Sequence, residues 1–346
     1  MDLKQTIDKL LVAGKGLLAA DESNKTANQR LAAAAIDQTQ EMRRQYRQLL
    51  FTTPDIASGL SGVILYDETI RQNADQGQPF AELLQSLGII PGIKTDMGLV
   101  DLPNSPGEKV SQGLEGLAGR NQEYRRLGAR FAKWRSVIGI GPGLPTAAAI
   151  QANATVLARY AKITQESGLV PIVEPEVLLA GDHTFERCGQ VLAQTLKQVF
   201  EQLQSQGVDL GSTVLKTSMV LPGKDSNQTA SPQQVAEATA KVLTDNVPDG
   251  LAGVVFLSGG QSPAQATENL NQIAKLGSHP WLATFSYSRA LQDPVLKHWV
   301  GKAENVAGAQ TIFARRVKLA ALAQQGKYTP DMEEGPAGEV ASLGQD

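Results

Sequence analysis

Short apolar runs alternate along the chain with longer segments of helical periodicity. Apolar segments that are about as long as a β-strand and rich in Val, Ile, Leu and Ala are typical of strands buried on both faces. Most are followed by a segment whose apolar residues recur every three to four positions, as on one face of a helix. The predicted strands cover residues 16–20, 62–66, 89–93, 131–138, 169–173, 212–220, 253–257 and 281–285.

The predicted helices lie between these strands. Residues 101–113, which are rich in Pro, Gly and Asn, predict a loop instead. One helix ends before Gly168, and another begins at Ser231-Pro232, an N-cap residue with a first-turn proline. The helical segments are 42–50, 79–87, 114–128, 145–167, 184–206, the one that begins at 231, 263–276 and 305–325.

This order of elements favours an α/β protein, a (β/α)8 TIM barrel formed by a single domain. A doubly wound open sheet fits the same order, because patterning alone does not show whether a sheet closes. We expect the barrel to span residues 1–330. Residues 331–346 are rich in Gly, Glu and Ser, and we expect them to form a flexible C-terminal tail.

The composition, with 42% hydrophobic and 19% charged residues, is that of a soluble globular protein. A net charge of -3 gives no reason to expect nucleic acid or a membrane as a partner. No signal sequence is evident and Cys188 is the only cysteine, so we expect a cytoplasmic protein. The three histidines lack ligand spacing, and the sequence therefore predicts no metal and no cofactor.

Lys216 stands in the middle of the apolar run 212–220. Lysine is seldom buried without a partner, since burial disfavours the ammonium ion. One interpretation is a buried amine that serves as a nucleophile toward carbonyl groups. The other is a strand that ends at Leu215, with Lys216 reaching into solvent.

Most of the other runs also end in functional groups, which favours the first interpretation. The carboxyl ends of the strands in a parallel barrel share one face, where catalytic groups stand. Lys94, Lys133 and Lys216 would crowd this face, and such crowding lowers a lysine pKa and attracts anions. Strand alternation places Lys133 and Arg135 on the same side. The end groups are Asp21, Asp67, Lys94, Lys133, Arg135, Glu174, Glu176, Lys216, Ser258, Ser286 and Arg289.

The turn Ser258-Gly259-Gly260 follows the seventh run, and Arg289 follows the eighth. The loops after these two strands are a recurrent phosphate site in barrels of this kind. Backbone N–H groups of the turn and the guanidinium could hold a phosphate together. A Ser-Gly-Gly sequence by itself is most often only a turn.

From about residue 5 to Pro330 the sequence closely resembles the class I, Schiff-base-forming fructose-bisphosphate aldolases. Long motifs carry the resemblance, and they occur in the family's order. They are GKGLLAADES at 14–23, FAKWR at 131–135, VPIVEPE at 170–176, LK at 215–216, FLSGGQS at 256–262, TFSY at 284–287 with Arg289, and QGKYTP at 325–330.

The resemblance implies reversible aldol cleavage of fructose 1,6-bisphosphate, in glycolysis and gluconeogenesis or in the Calvin cycle. It implies that Lys216 forms the Schiff base, that Glu174 handles the carbinolamine hydroxyl, and that Asp21 takes the C4-hydroxyl proton. Lys133 would hold charge near Asp21, and Glu176 would tune the lysine cluster. The resemblance also implies metal-independent catalysis and a homotetramer.

The resemblance further assigns the groups that bind the two phosphates of the sugar. On the C1 side it implies Ser258, Gly259, Ser286 and Arg289, with Gly260 and Ser288 beside them. On the C6 side it implies Ser23, Thr26, Arg30, Lys94 and Arg135.

The sequence departs from the family's pattern in three places. Ser288 stands where glycine is common, and a left-handed backbone there would cost a serine about 1 kcal/mol or more. Met97 replaces a common lysine. The chain ends in Leu-Gly-Gln-Asp, without the terminal tyrosine that assists enamine protonation in animal and plant enzymes, and Tyr328 matches a different position. We therefore expect deletion of residues 335–346 to change turnover little.

Two alternatives remain open at the level of sequence. An aldolase of this kind could also act on sedoheptulose 1,7-bisphosphate, since the motifs constrain the chemistry more than the length of the sugar. A non-catalytic sugar-phosphate-binding scaffold is the other alternative. The presence of Lys216, Glu174 and Asp21 argues against the scaffold.

Overall fold

The computed structural model describes residues 1–277 and 279–334, and its centre is a closed barrel of parallel strands. The strands are β1 (Gly16–Ala20), β2 (Leu60–Leu65), β3 (Ile90–Lys94), β4 (Leu99–Asp101), β5 (Lys109–Ser111), β6 (Phe131–Ile138), β7 (Val170–Val177), β8 (Val214–Thr217), β9 (Gly253–Phe256) and β10 (Leu282–Tyr287). All except β4 and β5 form the barrel, in the order β1-β10-β9-β8-β7-β6-β3-β2. This closure confirms the (β/α)8 prediction and rules out the open sheet.

Helices surround the barrel, and each predicted helix is present to within a few residues. They are α1 (Leu3–Leu10), α2 (Asn24–Ala33), α3 (Gln40–Phe51), α4 (Asp67–Ile70), α5 (Phe80–Ser86), α6 (Leu117–Arg126), α7 (Ala147–Glu166), α8 (Phe185–Ser205), α9 (Pro232–Asn246), α10 (Pro263–Lys275), α11 (Arg289–Trp299) and α12 (Val306–Gln324). Four of them, α1, α2, α4 and α11, were not predicted. In α2 only Leu31 is buried, and α11 contains Pro294, so both lack the usual sequence signal. No helix within the described ranges is long and apolar enough to cross a bilayer.

The loop predicted at 101–113 is wrong in part, because β4 and β5 pair there as an antiparallel hairpin. The hairpin packs against the barrel through Ser111, whose hydroxyl donates to the carbonyl of Arg135. Glu108, next to β5, accepts hydrogen bonds from the backbone N–H and the hydroxyl of Thr146, at 2.8 and 2.6 Å. Strands this short have no readable periodicity, so tertiary contacts decide their pairing.

The lower half of the barrel interior is filled by apolar side chains, the basal cluster. Helix α1 closes this end by inserting Ile7 and Leu10. Phe131 occupies space that Gly92 leaves open, since a Cβ atom on Gly92 would lie 2.2 Å from the Phe131 ring. The basal cluster comprises Ile7, Leu10, Leu17, Ala19, Ile64, Ile90, Phe131, Val170, Ile172, Val214 and Val255.

The predicted C-terminal tail begins in a short 3-10 helix, Pro330–Glu333. The carboxylate of Glu333 accepts two hydrogen bonds from Arg316, at 2.7 and 2.6 Å, and one from the hydroxyl of Tyr328 at 3.2 Å. These contacts hold the 3-10 helix on the barrel. The remainder of the predicted tail, 335–346, lies outside the described residues.

Candidate active site

Charged side chains line the barrel interior above the basal cluster. On β6 the alternation that directs Phe131 inward also directs Lys133 and Arg135 inward, as predicted. On β7 the same alternation directs Glu174 inward. The register pairs Val173 of β7 with Leu215 of β8, so Glu174 and Lys216 lie side by side.

Four buried groups form a continuous chain of ionic contacts. Lys216 Nζ lies 3.1 Å from Glu174 Oε1, and Lys133 Nζ lies 3.1 Å from Glu174 Oε2. Lys133 Nζ also lies 2.5 Å from Asp21 Oδ2. Lys216 is only 4% exposed, so the alternative in which it reaches into solvent is wrong.

The two buried lysines are held differently. Burial disfavours the charge on Lys133, but Asp21 and Glu174 outweigh this effect and raise the pKa of Lys133. Lys133 therefore stays an ammonium ion, and the expectation that crowding lowers a lysine pKa is wrong for this residue. Among the described residues Lys216 forms an ion pair with Glu174 alone. Of the two amines, Lys216 is the better placed to act as a nucleophile.

Both carboxylates are stabilised in their charged forms. Burial would raise the pKa of Asp21, but the cations Lys133 and Lys216 outweigh it and lower that pKa to about 2. For Glu174, burial is likewise outweighed by these two lysines, and its pKa is lowered. The contact of Glu174 Oε2 with Lys133 is an ion pair without hydrogen-bond geometry, so no described residue donates to this oxygen.

The groups predicted for the C1 phosphate converge at the ends of β9 and β10. Ser258 Oγ accepts a hydrogen bond from Ala290 N at 3.3 Å, which ties the turn after β9 to the start of α11. Ser286 Oγ is buried and has no partner in the described part of the chain. Arg289 is exposed and forms no ion pair with any residue described. A Cβ atom on Gly259 would lie 3.1 Å from Arg289 Nη2, so glycine permits this close approach.

The neighbouring charges pair off locally. Glu176 Oε2 lies 2.5 Å from Nε of Arg135, so its carboxylate pairs with an arginine rather than with the lysine cluster it was expected to tune. Lys94 Nζ lies 2.6 Å from Asp96 Oδ1. Gly260 adopts φ +84°, a left-handed conformation that strains other residues.

Three of the five residues predicted for the C6 side, Ser23, Thr26 and Arg30, lie just before or on α2, whereas Lys94 is on β3 and Arg135 is on β6. Ser23 is the N-cap of this helix, and its hydroxyl accepts from Thr26 N at 3.3 Å. Arg30, at the other end of α2, forms ion pairs with Glu22 and with Asp293, the latter at 2.8 Å. Of these three residues, Arg30 is therefore the one already engaged by carboxylates.

The structure also answers the questions raised by Ser288 and Met97. Ser288 has φ -105° and ψ -80°, so its backbone is not left-handed and the cost that such a conformation would carry for a serine does not arise. Its hydroxyl instead donates to Glu22 Oε1 at 2.6 Å. Met97 is 62% exposed in the segment after β3.

Sequence reasoning missed several groups that support the site. Glu22 accepts from Arg47 at 2.6 Å behind Asp21, and only its place in the motif at 14–23 could have drawn attention to it. Asp96, which pairs with Lys94, could have been found as a second charge after the third run. Gln292 and Asp293 carried no signal, since α11 was not predicted.

Comparison with known proteins agrees with this geometry. The family model described as fructose-bisphosphate aldolase class-I matches residues 2–343. The chain belongs to this family. It is 49% identical to the probable fructose-bisphosphate aldolase class 1 of Xanthomonas campestris pv. campestris, over 94% of this chain and 98% of that protein. It is also 49% identical to fructose-bisphosphate aldolase 5, cytosolic, of Arabidopsis thaliana, over 95% of this chain and 92% of the relative.

Among solved structures, the chain is similar to the fructose-bisphosphate aldolase of Plasmodium falciparum, determined in complex with TRAP and a small-molecule inhibitor. The TM-score is 0.93 at 48% identity, over 94% of this chain and 95% of that one. The similarity therefore extends over the whole barrel.

Proposed function

We propose that this protein catalyses the reversible cleavage of fructose 1,6-bisphosphate to dihydroxyacetone phosphate and glyceraldehyde 3-phosphate through a Schiff base on Lys216. The observation that carries the proposal is the buried ionic chain Lys216–Glu174–Lys133–Asp21 inside the barrel. It supplies one nucleophile and two groups that transfer protons. Membership of the aldolase family supports the same reaction.

In the first half of the reaction the neutral amine of Lys216 attacks the C2 carbonyl, and a C–N bond forms. Glu174 Oε1, at 3.1 Å from the amine, is placed to accept the proton that the ammonium loses. The same carboxyl then protonates the carbinolamine hydroxyl, which departs as water. The product is an iminium ion on Lys216, which can accept an electron pair.

In the second half Asp21 removes the proton of the C4 hydroxyl, and a C4 carbonyl forms as the C3–C4 bond breaks. The bonding electrons move to the iminium and give an enamine, while glyceraldehyde 3-phosphate leaves. Protonation of the enamine at C3 and hydrolysis release dihydroxyacetone phosphate and free Lys216. Lys133, which remains charged, lies 2.5 Å from the Asp21 carboxylate before the reaction begins.

We propose a separate set of residues for each phosphate, and the two sets adjoin where Arg30 contacts Ser288 Oγ at 3.3 Å. On the C1 side, the unpaired Ser286 hydroxyl and the free Arg289 guanidinium are donors that a phosphate can use. For the same side we also propose Ser258, Gly259, Gly260 and Ser288. For the C6 side we propose Ser23, Thr26, Arg30, Lys94 and Arg135, with Glu176 acting by orienting Arg135.

Borohydride trapping tests the proposal. The protein is incubated with dihydroxyacetone phosphate and EDTA, reduced, digested, and the added mass is located by mass spectrometry. We expect the adduct on Lys216 and none on Lys133, which is a buried internal control with a raised pKa. An adduct on Lys133 would contradict the mechanism. So would the absence of any adduct together with loss of aldolase activity when the chelator is added.

The homotetramer, the cytoplasmic location, and the division into a catalytic domain at 1–330 and a tail at 331–346 remain predictions. The cytosolic name of the Arabidopsis relative supports the location. Analytical ultracentrifugation of the purified full chain would test the oligomeric state, with a single species of four times the chain mass as the expected result.

A further inference from the structure

Arg30, one of the groups expected to meet the C6 phosphate, is held at present by two other parts of the chain. Its Nη1 forms an ion pair with Glu22 and contacts Ser288 Oγ at 3.3 Å. Its Nη2 forms an ion pair with Asp293 Oδ1 at 2.8 Å. The arginine is on α2, whereas Ser288 precedes α11 and Asp293 is on it.

The Glu22 side of this arrangement is fixed. Glu22 Oε2 lies 2.6 Å from Arg47 Nη2, and Glu22 Oε1 accepts from Ser288 at 2.6 Å and from Gln292 at 3.2 Å. The Glu22 side chain is only 9% exposed. A carboxylate with this many buried donors has little freedom to move.

The Asp293 side is open. The Asp293 side chain is 39% exposed, and Arg30 is the only cation among the described residues with which it forms an ion pair. The Arg30 side chain itself is 18% exposed. An incoming phosphate would compete with this carboxylate for Nη2, because both are anions that bind guanidinium through paired oxygens.

We propose that Asp293 is a specificity-determining residue: it competes with the second phosphate of the substrate for Arg30 and so reduces the preference for bisphosphates over monophosphates. The inference rests on the proposed function, in which Arg30 meets the C6 phosphate. The second phosphate must displace the Asp293 carboxylate from Arg30. It therefore binds more weakly than it would to an arginine that has no carboxylate partner. A sugar without that phosphate leaves the Arg30–Asp293 pair in place.

Asp293→Asn tests this, because it removes the negative charge at nearly constant shape. Two measurements are made: kcat/KM for fructose 1,6-bisphosphate and fructose 1-phosphate, and the calorimetric Kd of hexitol 1,6-bisphosphate and hexitol 1-phosphate. The hexitols lack a carbonyl and bind without reaction. We expect Asp293→Asn to raise the bisphosphate-to-monophosphate ratio about three- to fivefold in both measurements, the size of a partly exposed ion pair.

Two controls separate this from a general charge effect. In an Arg30→Gln background, Asp293→Asn is expected to have no further effect. Asp75→Asn, which breaks the surface ion pair with Arg44 instead, is expected to leave the ratio unchanged.

An unchanged ratio in Asp293→Asn would overturn the proposal, as would an effect that persists without Arg30. Asp293→Ala is the second variant, and it is expected to change the ratio in the same direction. If the wild-type protein cleaves neither ketose, the proposed function fails, while the hexitol affinities still decide the role of Asp293.

Discussion

The lower and upper halves of the barrel interior are built on the same strands, yet the side chains of the lower half are apolar and those of the upper half are charged. Two residues along a strand separate the apolar basal cluster from the ionic chain above it. The change from apolar to charged side chains occurs between Phe131 and Lys133 on β6, between Ile172 and Glu174 on β7, and between Val214 and Lys216 on β8.

Both halves are buried, but burial acts on them in opposite ways. An apolar side chain that leaves water stabilises the fold by about 1.5–3 kcal/mol. A buried ion loses hydration, and its partners do little more than offset that cost. The lower half therefore carries stability, and the upper half is expected to carry reactivity. Substitutions in each half test this division.

The largest expected effect is the loss of activity in Lys216→Met. Without the amine no iminium forms, so we expect turnover to fall by about 10⁴-fold or more. Steady-state cleavage of fructose 1,6-bisphosphate and circular dichroism of the same sample provide the measurement. Lys197→Met, at an exposed lysine of α8, is the matched control and should keep its turnover. Activity of Lys216→Met within tenfold of wild type would refute the assignment.

A smaller loss is expected from Glu174→Gln, since the amide can neither accept nor return the proton exchanged with Lys216. We expect kcat to fall by about 10²- to 10⁴-fold with a smaller change in KM. Rapid-quench borohydride trapping should show slower formation of the adduct. Glu176→Gln, two residues further on, should act mainly on KM through Arg135. An effect of Glu174→Gln that is confined to KM would contradict its role in proton transfer.

Phe131→Ala sharpens the comparison from the other side. Removal of this fully buried ring leaves a cavity beside Gly92, and we expect the free energy of unfolding to fall by about 3–4 kcal/mol. Chemical denaturation measures the loss, and Phe131→Leu should cost about 1 kcal/mol. Below the denaturation midpoint the adduct on Lys216 should still form. Its disappearance in folded protein would show that the two halves are not separable.

The smallest effect is the pH dependence that Asp21 confers. Its folded pKa of about 2 is below the unfolded value of 3.8, so its contribution is complete above pH 4 and is lost as pH falls toward 2. We expect this group to contribute about 2 kcal/mol of stability. The free energy of unfolding is measured by chemical denaturation at intervals across that pH range. Plotted against pH, it should rise more steeply for wild type than for Asp21→Asn. Identical slopes would mean that Asp21 does not titrate at a lowered pKa.

Local chemistry in the sequence was enough to predict the eight barrel strands and to place Lys133 and Arg135 on one face. Alternation follows from the geometry of a single strand, so Lys133 and Arg135 could be placed on one face without knowledge of the fold. Most helices were predicted in a similar way, because apolar residues that recur every three to four positions are also a local pattern. Elements without periodicity, such as α2, α11 and the β4–β5 hairpin, were missed or taken for loops.

Tertiary structure alone decided which charge meets which. Asp21 directly follows β1, which does not neighbour β6, so its contact with Lys133 crosses the interior and exists only because the sheet closes. That contact and the one with Glu174 keep Lys133 charged and leave Lys216 as the proposed nucleophile. Arg30 and Asp293 meet for a similar reason, since α2 and α11 are brought together by the adjacent strands β1 and β10. Pairings over such distances in sequence depend on the closure of the barrel, which no local pattern encodes.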